Sequence, residues 1–137
     1  MGILIDASVL IGIERGQLGI DEGVAGLSDE DDCLISAITA SELLVGVHRA
    51  KGSRRRSRRA AFVEYVLRRF PVLPIDVQTA RIHARVWAEL QSRGRMIGAH
   101  DLWLAATCIA YGHILATGNV REFSRVPGLD LHIWPAK

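Results

Sequence analysis

Short apolar runs that stop abruptly at polar residues recur along the chain. Ile3-Leu4-Ile5 ends at Asp6, Leu34-Ile35 ends near Ser36, Val72-Leu73-Pro74-Ile75 ends at Asp76, and His113 to Thr117 ends at Gly118. Each is too short for a helix and reads as a buried strand, with Leu131 to Trp134 predicting a fifth strand at an edge. Between these runs the period changes. Thr39-Ala40-Ser41-Glu42 spells a capping box that opens a helix running toward Arg49. Asp76 is placed to cap a second helix, in which Ala80, His83 or Ala84, Trp87 and Leu90 recur at helical spacing until Gly94. A third begins at His100 or Asp101, carries Leu102, Ala105, Ala106 and Ile109 on one face, and stops at Gly112. Alternating strands and helices predict an α/β fold: a central, mainly parallel sheet of four to five strands between two layers of helices.

Composition adds bounds. The 137 residues, 49% hydrophobic and 23% charged, are enough for one domain spanning 1–137 with a real core. Apolar stretches such as Leu102 to Ala106 fall far short of the roughly 20 residues a membrane span needs. The opening Met1-Gly2-Ile3-Leu4-Ile5-Asp6 has no basic region before its apolar run, unlike a signal peptide, so a soluble cytoplasmic protein is the expectation. Cys33 and Cys108 sit in apolar surroundings without CxxC spacing and read as buried, reduced thiols rather than disulfide or zinc partners.

The net charge of +2 conceals an asymmetry. Residues 1–48 hold nine acids and one base, Arg15, whereas residues 49–137 hold sixteen bases and six acids. Six of those bases fall between Lys51 and Arg59, and Arg54, Arg55, Arg56, Arg58 and Arg59 are arginines, whose planar fork matches phosphate. The run predicts contact with a polyanion or an acidic protein partner, and Gly52-Ser53 before it reads as a mobile turn.

In an open parallel sheet the functional crevice lies beyond the carboxyl ends of the strands. Asp6 ends the first strand, Glu42 opens the helix after the second, Asp101 opens the helix before the fourth, and Glu122 follows the fourth. Two carboxylates 4 Å apart repel by about 4 kcal/mol at an effective dielectric of 20, so such a cluster needs a cation or shared protons. Mg²⁺ or Mn²⁺ suits an all-oxygen donor set and keeps open positions for phosphate.

Four segments carry a family likeness: Ile3-Leu4-Ile5-Asp6-Ala7-Ser8-Val9-Leu10-Ile11; Ile38-Thr39-Ala40-Ser41-Glu42-Leu43-Leu44-Val45-Gly46-Val47; Ile97-Gly98-Ala99-His100-Asp101-Leu102-Trp103-Leu104-Ala105-Ala106; and Thr117-Gly118-Asn119-Val120-Arg121-Glu122-Phe123 followed by Val126-Pro127-Gly128-Leu129. In order and spacing they resemble the PIN-domain ribonucleases, and among these the VapC toxins of bacterial VapBC toxin–antitoxin modules. The resemblance runs from Ile3 to Trp134. It implies a small α/β/α domain that cleaves RNA with Mg²⁺ or Mn²⁺, forms a homodimer, and is silenced by a cognate VapB-like antitoxin. The family's acidic positions match Asp6, Glu42 and Asp101, and its polar end-of-strand positions match Thr117 and Asn119. Many relatives carry an acid where this chain has Asn119, so the fourth acidic role is absent, filled by the amide, or taken by Glu122, and one metal or two remain open.

Both lines of reasoning imply metal-assisted hydrolysis of a phosphodiester. Asp6 and Asp101 are expected to hold the metal, Glu42 to complete the site or orient water, and Ser8 and Thr117 to support them by hydrogen bonds. The histidines lack ligand spacing; His100 is singled out only as the neighbour of Asp101. A haloacid-dehalogenase-like phosphatase is the alternative enzyme, but it wants a second aspartate where Ser8 stands, and Lys51 and Lys137 are poorly placed for its phosphoryl group. A silent RNA- or protein-binding scaffold has no use for three unpaired acids.

Overall fold

The structure is a computed structural model that describes residues 2–16 and 32–134. Five strands, β1 (Ile3–Ile5), β2 (Cys33–Ser36), β3 (Val72–Leu73), β4 (Ile114–Thr117) and β5 (Leu131–Ile133), form one sheet in the order β3-β2-β1-β4-β5. All pairings are parallel, with Ile5 opposite Ala116 and Thr117 opposite Ile133. The expected strands are all present. Six helices are described: α1 (Ala7–Glu14), α2 (Ala37–Arg49), α3 (Ser53–Arg69), α4 (Val77–Ser92), α5 (Ala99–Tyr111) and α6 (Val120–Phe123).

Side chains alternate across a strand, so each strand feeds two cores. Ile3 and Ile5 face one side with Val9, Leu10 and Ile13 of α1, Leu43 of α2, and Val63, Val66 and Phe70 of α3 and its end. Leu4 and Leu115 face the other with Val86 and Leu90 of α4, Leu102, Leu104, Ala105 and Cys108 of α5, and Phe123. The result is a three-layer α/β/α arrangement. β2 and β3 build outward on one side of β1, and β4 and β5 on the other, which makes the gap between β1 and β4 the topological switch point of the sheet. Among the described residues no helix is long and apolar enough to cross a membrane.

Local readings needed four corrections. Helix α2 starts earlier than the capping box at Thr39 implied: Ser36 is the N-cap, and its hydroxyl accepts from the Thr39 backbone N–H at 3.2 Å. Glu42 is therefore free of capping duty. Of the expected turn Gly52-Ser53 only Gly52 lies outside a helix; Ser53 already opens α3, and the arginine run forms its first turns, because Val63, Val66 and Phe70 repeat at helical spacing and anchor the charged end. On α4 it is Val86 and Leu90 that are buried, while Trp87 is 48% exposed. Cys108 is buried as expected, but Cys33 is only half-buried. Asp76 does cap α4, accepting from Thr79 N–H at 2.9 Å, and also accepts from the Tyr111 hydroxyl, tying α4 to the end of α5. Gly112 ends α5 in the left-handed region.

Candidate active site

β1 delivers Asp6 to the crevice, and its backbone N–H bonds to the Ala116 carbonyl of β4 at 2.9 Å. Asp6 occupies the N-cap position of α1 without capping it. Its Oδ2 instead accepts from Ser8 Oγ at 2.8 Å and from Thr117 Oγ1 at 2.7 Å, and neither hydroxyl holds Oδ1. Asp6 and Thr117 are both buried. Two further bonds lock this frame: Gly118 N–H donates to Ser8 Oγ at 3.2 Å and Asn119 N–H to Thr117 Oγ1 at 2.9 Å. Gly118 lets the chain close here, since a Cβ on it would stand 3.1 Å from the Trp134 carbonyl oxygen.

The other acids arrive from separate helices and feel one another. Burial pushes Glu42 above its ordinary carboxyl pKa and the negative charge of Asp6 adds to this, while His100, whose Nδ1 lies 3.1 Å from Glu42 Oε1, pulls the other way. Asp101 is raised furthest, to about 7, by burial first, then by a hydrogen bond with Glu122 and the charges of Asp6, Glu122 and Glu42. Glu122 moves down, because Asp101 donates to it and Gly98, Arg125 and Asn119 also favour its charged form. Asp101 thus holds the proton and Glu122 the charge. Of the four acids that the strand ends pointed to, Asp101 stands within electrostatic reach of the other three.

The Asn119 side chain supports the charged form of Glu122, and Glu122 in turn raises the Asp101 pKa. Among the described residues no three His, Cys, Asp or Glu side chains stand close enough together to hold a metal ion as they are placed here, and the acids form an open rim. An oxygen-only donor set in which burial and repulsion hold two carboxyls above their ordinary range suits a hard divalent cation that brings its own waters.

The five arginines of the expected RNA face all lie on α3, beside rather than within the rim. Arg59 Nε pairs with Glu14 Oε2 at 3.3 Å, and Arg56 Nη2 donates back to the Ala50 carbonyl at 3.2 Å. Sequence reasoning did not place Arg49 in the site, although its spacing of seven from Glu42 puts both on one face of α2, and both line a cavity of about 560 Å³ with Ile11, Val45, Gly46, Arg59 and His100. Lys137, which entered the phosphatase argument, lies outside the described residues, as do Asp21, Glu22, Asp29, Glu30 and Asp31 of the acidic segment.

A PIN domain model matches residues 3–129. The chain is 34% identical to Ribonuclease VapC of Rickettsia bellii over 100% of its own length and 99% of that protein. It is 36% identical to the tRNA(fMet)-specific endonuclease VapC of Salmonella typhimurium, over 73% of this chain and 74% of that one. Among solved structures, DNA-bound VapBC from Salmonella typhimurium superposes with a TM-score of 0.87 at 28% identity, covering 98% of both chains.

Proposed function

Since this chain belongs to the PIN-domain family, we propose that it is an Mg²⁺- or Mn²⁺-dependent endoribonuclease toxin of the VapC kind, hydrolysing RNA phosphodiester bonds and neutralised by a cognate VapB-like antitoxin. The observation that carries this reading is the convergence of Asp6, Glu42, Asp101 and Glu122 at the switch point between β1 and β4. Asp6 and Asp101 would hold the metal, with Glu42 and Glu122 completing its surroundings. When bound, the ion neutralises the acids and stabilises the negative charge that develops on the phosphate. Ser8 and Thr117 fix the Asp6 carboxylate by one oxygen and leave the other for the cation. Glu42, steadied by His100, orients the attacking water. Without the ion Asp101 has a pKa of about 7, so binding the cation would displace its proton and leave Asp101 ionised, with Glu122 beside it.

The test is incubation of the purified protein with total cellular RNA, with Mg²⁺ or Mn²⁺ and after chelation, followed by mapping of new ends. Metal-dependent ends from the wild type and none from Asp6→Asn or Asp101→Asn are expected; cleavage retained in both variants overturns the assignment. An uncompensated acidic rim also attracts cations from a protein, so the antitoxin is expected to place a basic side chain among Asp6, Glu42 and Asp101. Undiminished antitoxin affinity after Asp6→Asn with Glu42→Gln refutes that route. A second copy of the chain is expected on the face of α4 where Val77 is 68% exposed and Trp87 protrudes, and light scattering on a Trp87→Glu variant checks it.

A further inference from the structure

The cavity that holds Glu42 and His100 does not end at α2. A second cavity, of about 510 Å³, lies next to it, and the two share Arg49 and Arg59. The lining residues therefore define one groove running from Glu42 at the acidic rim, past Arg49 of α2 and Arg59 of α3 at a shared waist, to the second cavity, a basin. The charge reverses along it. Among the described residues the basin is lined by Arg15, Arg49, Lys51, Arg55, Arg58 and Arg59, with Glu14 the one acid beside them.

Arg59 is held at the waist by its surroundings. Glu14 takes its Nε, and a Cβ on Gly46 would meet Arg59 Cδ and Nη1 at 3.6 Å, so the guanidinium lies against the bare backbone of α2 with its end in the groove. Arg55 and Arg59 are one helical turn apart, about 6 Å along the axis, so α3 sets a row of forks along the groove. The other two arginines of the run are excluded. Arg56 is folded back onto the Ala50 carbonyl, and Arg54 lines neither cavity.

We propose that this groove carries the RNA strand that flanks the scissile phosphate: Arg49 and Arg59 grip the phosphate next to the acidic rim, Arg55 and Arg58 the ones beyond it, and Arg54 and Arg56 take no part. The proposal rests on the nuclease reading and deepens it by assigning the substrate's path. RNA is favoured over a protein strand because six of the eight described residues lining the basin are cationic, their spacing is that of a row of point contacts, and the larger apolar residues, Ile11 and Val45, lie at the acidic end, with Ala50 in the basin itself.

The test uses a labelled single-stranded RNA of mixed sequence, with binding measured in chelator across a salt series and cleavage measured separately with Mg²⁺. Three double variants remove the same charge: Arg49→Gln with Arg59→Gln, Arg55→Gln with Arg58→Gln, and Arg54→Gln with Arg56→Gln. The first two should each flatten the slope of log K against log salt by about 1.4, at about 0.7 per lost contact on single strands, while the third leaves the slope unchanged. In the cleavage arm Arg55→Gln with Arg58→Gln should raise KM for a long RNA and leave kcat in place. Equal weakening by all three pairs overturns the path in favour of diffuse attraction. Unchanged RNA binding by the first two, with collapse of VapB-like antitoxin affinity, overturns it in favour of a protein strand. Should the wild type cleave no RNA at all, the nuclease reading falls, and the binding arm still decides the groove.

Discussion

Replacing Asp101 by Asn in the metal-free protein should stabilise it, and by an amount that depends on pH. The carboxyl titrates near its ordinary value of 3.8 when unfolded and at about 7 when folded. Between those values the folded state holds a proton that the unfolded state has lost, so wild-type stability falls as pH rises from about 4 to about 7. Taken whole, a gap of that size is worth about 4 kcal/mol. Asp101 is half-buried, and solvent screening cuts this to about 1 to 2 kcal/mol. Asn cannot titrate. Urea unfolding with chelator at constant ionic strength should therefore show the variant about equal to wild type near pH 4 and more stable by about 1 to 2 kcal/mol at pH 8. Added Mn²⁺ should reverse the order at pH 8, because only wild type gains the full binding free energy. A variant less stable than wild type at pH 8 without metal, or one with the same pH slope, refutes the reasoning that burial and neighbouring acids strain this carboxylate.

Ser36→Ala should lose about 0.5 to 2 kcal/mol of stability through the α2 cap, while Glu42→Ala loses none by that route; chemical denaturation compares them, and a larger loss for Glu42→Ala would restore a capping role. His100→Ala removes the group that lowers the Glu42 pKa, so the acidic limb of the pH–rate profile should move to higher pH, and an unmoved limb denies the contact a part in the reaction. Glu122→Gln should weaken Mn²⁺ binding in a calorimetric titration and lower the Asp101 pKa, since it removes a negative neighbour and its hydrogen bond; unaltered binding leaves Asp6, Glu42 and Asp101 as the complete set. Thr117→Val leaves the Asp6 carboxylate with Ser8 as its only hydroxyl donor of the present two and should cost about 1 to 3 kcal/mol together with most of the cleavage activity.

The strands and the layer order were legible because they rest on local facts. Ile3-Leu4-Ile5 and Leu115-Ala116 are apolar on both faces, which marks a strand covered on both sides, and parallel strands need helical crossovers. Strand ends then locate the crevice, which is why Asp6, Glu42, Asp101 and Glu122 could be named before their neighbours were known. Motif order along the chain carried the family in the same way. Helix beginnings were less secure, since Ser36 and Thr39 are both good caps and only the backbone conformation chooses Ser36. In α3 the local charge pattern did not choose between helix and loop, and the helix exists because Val63, Val66 and Phe70 reach a core built by residues far away in sequence.

What tertiary structure alone decided is which polar groups meet. Thr117 reaches Asp6 across 111 residues, and Asp101 shares its proton with Glu122 rather than with the acids that precede it. The Asn119 amide bears on Glu122, three residues further along the chain. Likewise, five arginines that look equivalent in a row are divided by the direction each takes from α3: Arg59 lies along Gly46 to Glu14, and Arg56 turns back to Ala50. Periodicity reports which face a residue occupies, because that follows from the backbone repeat. Electrostatic partnership depends on distances of a few ångströms between elements, and those are set only when the two cores pack.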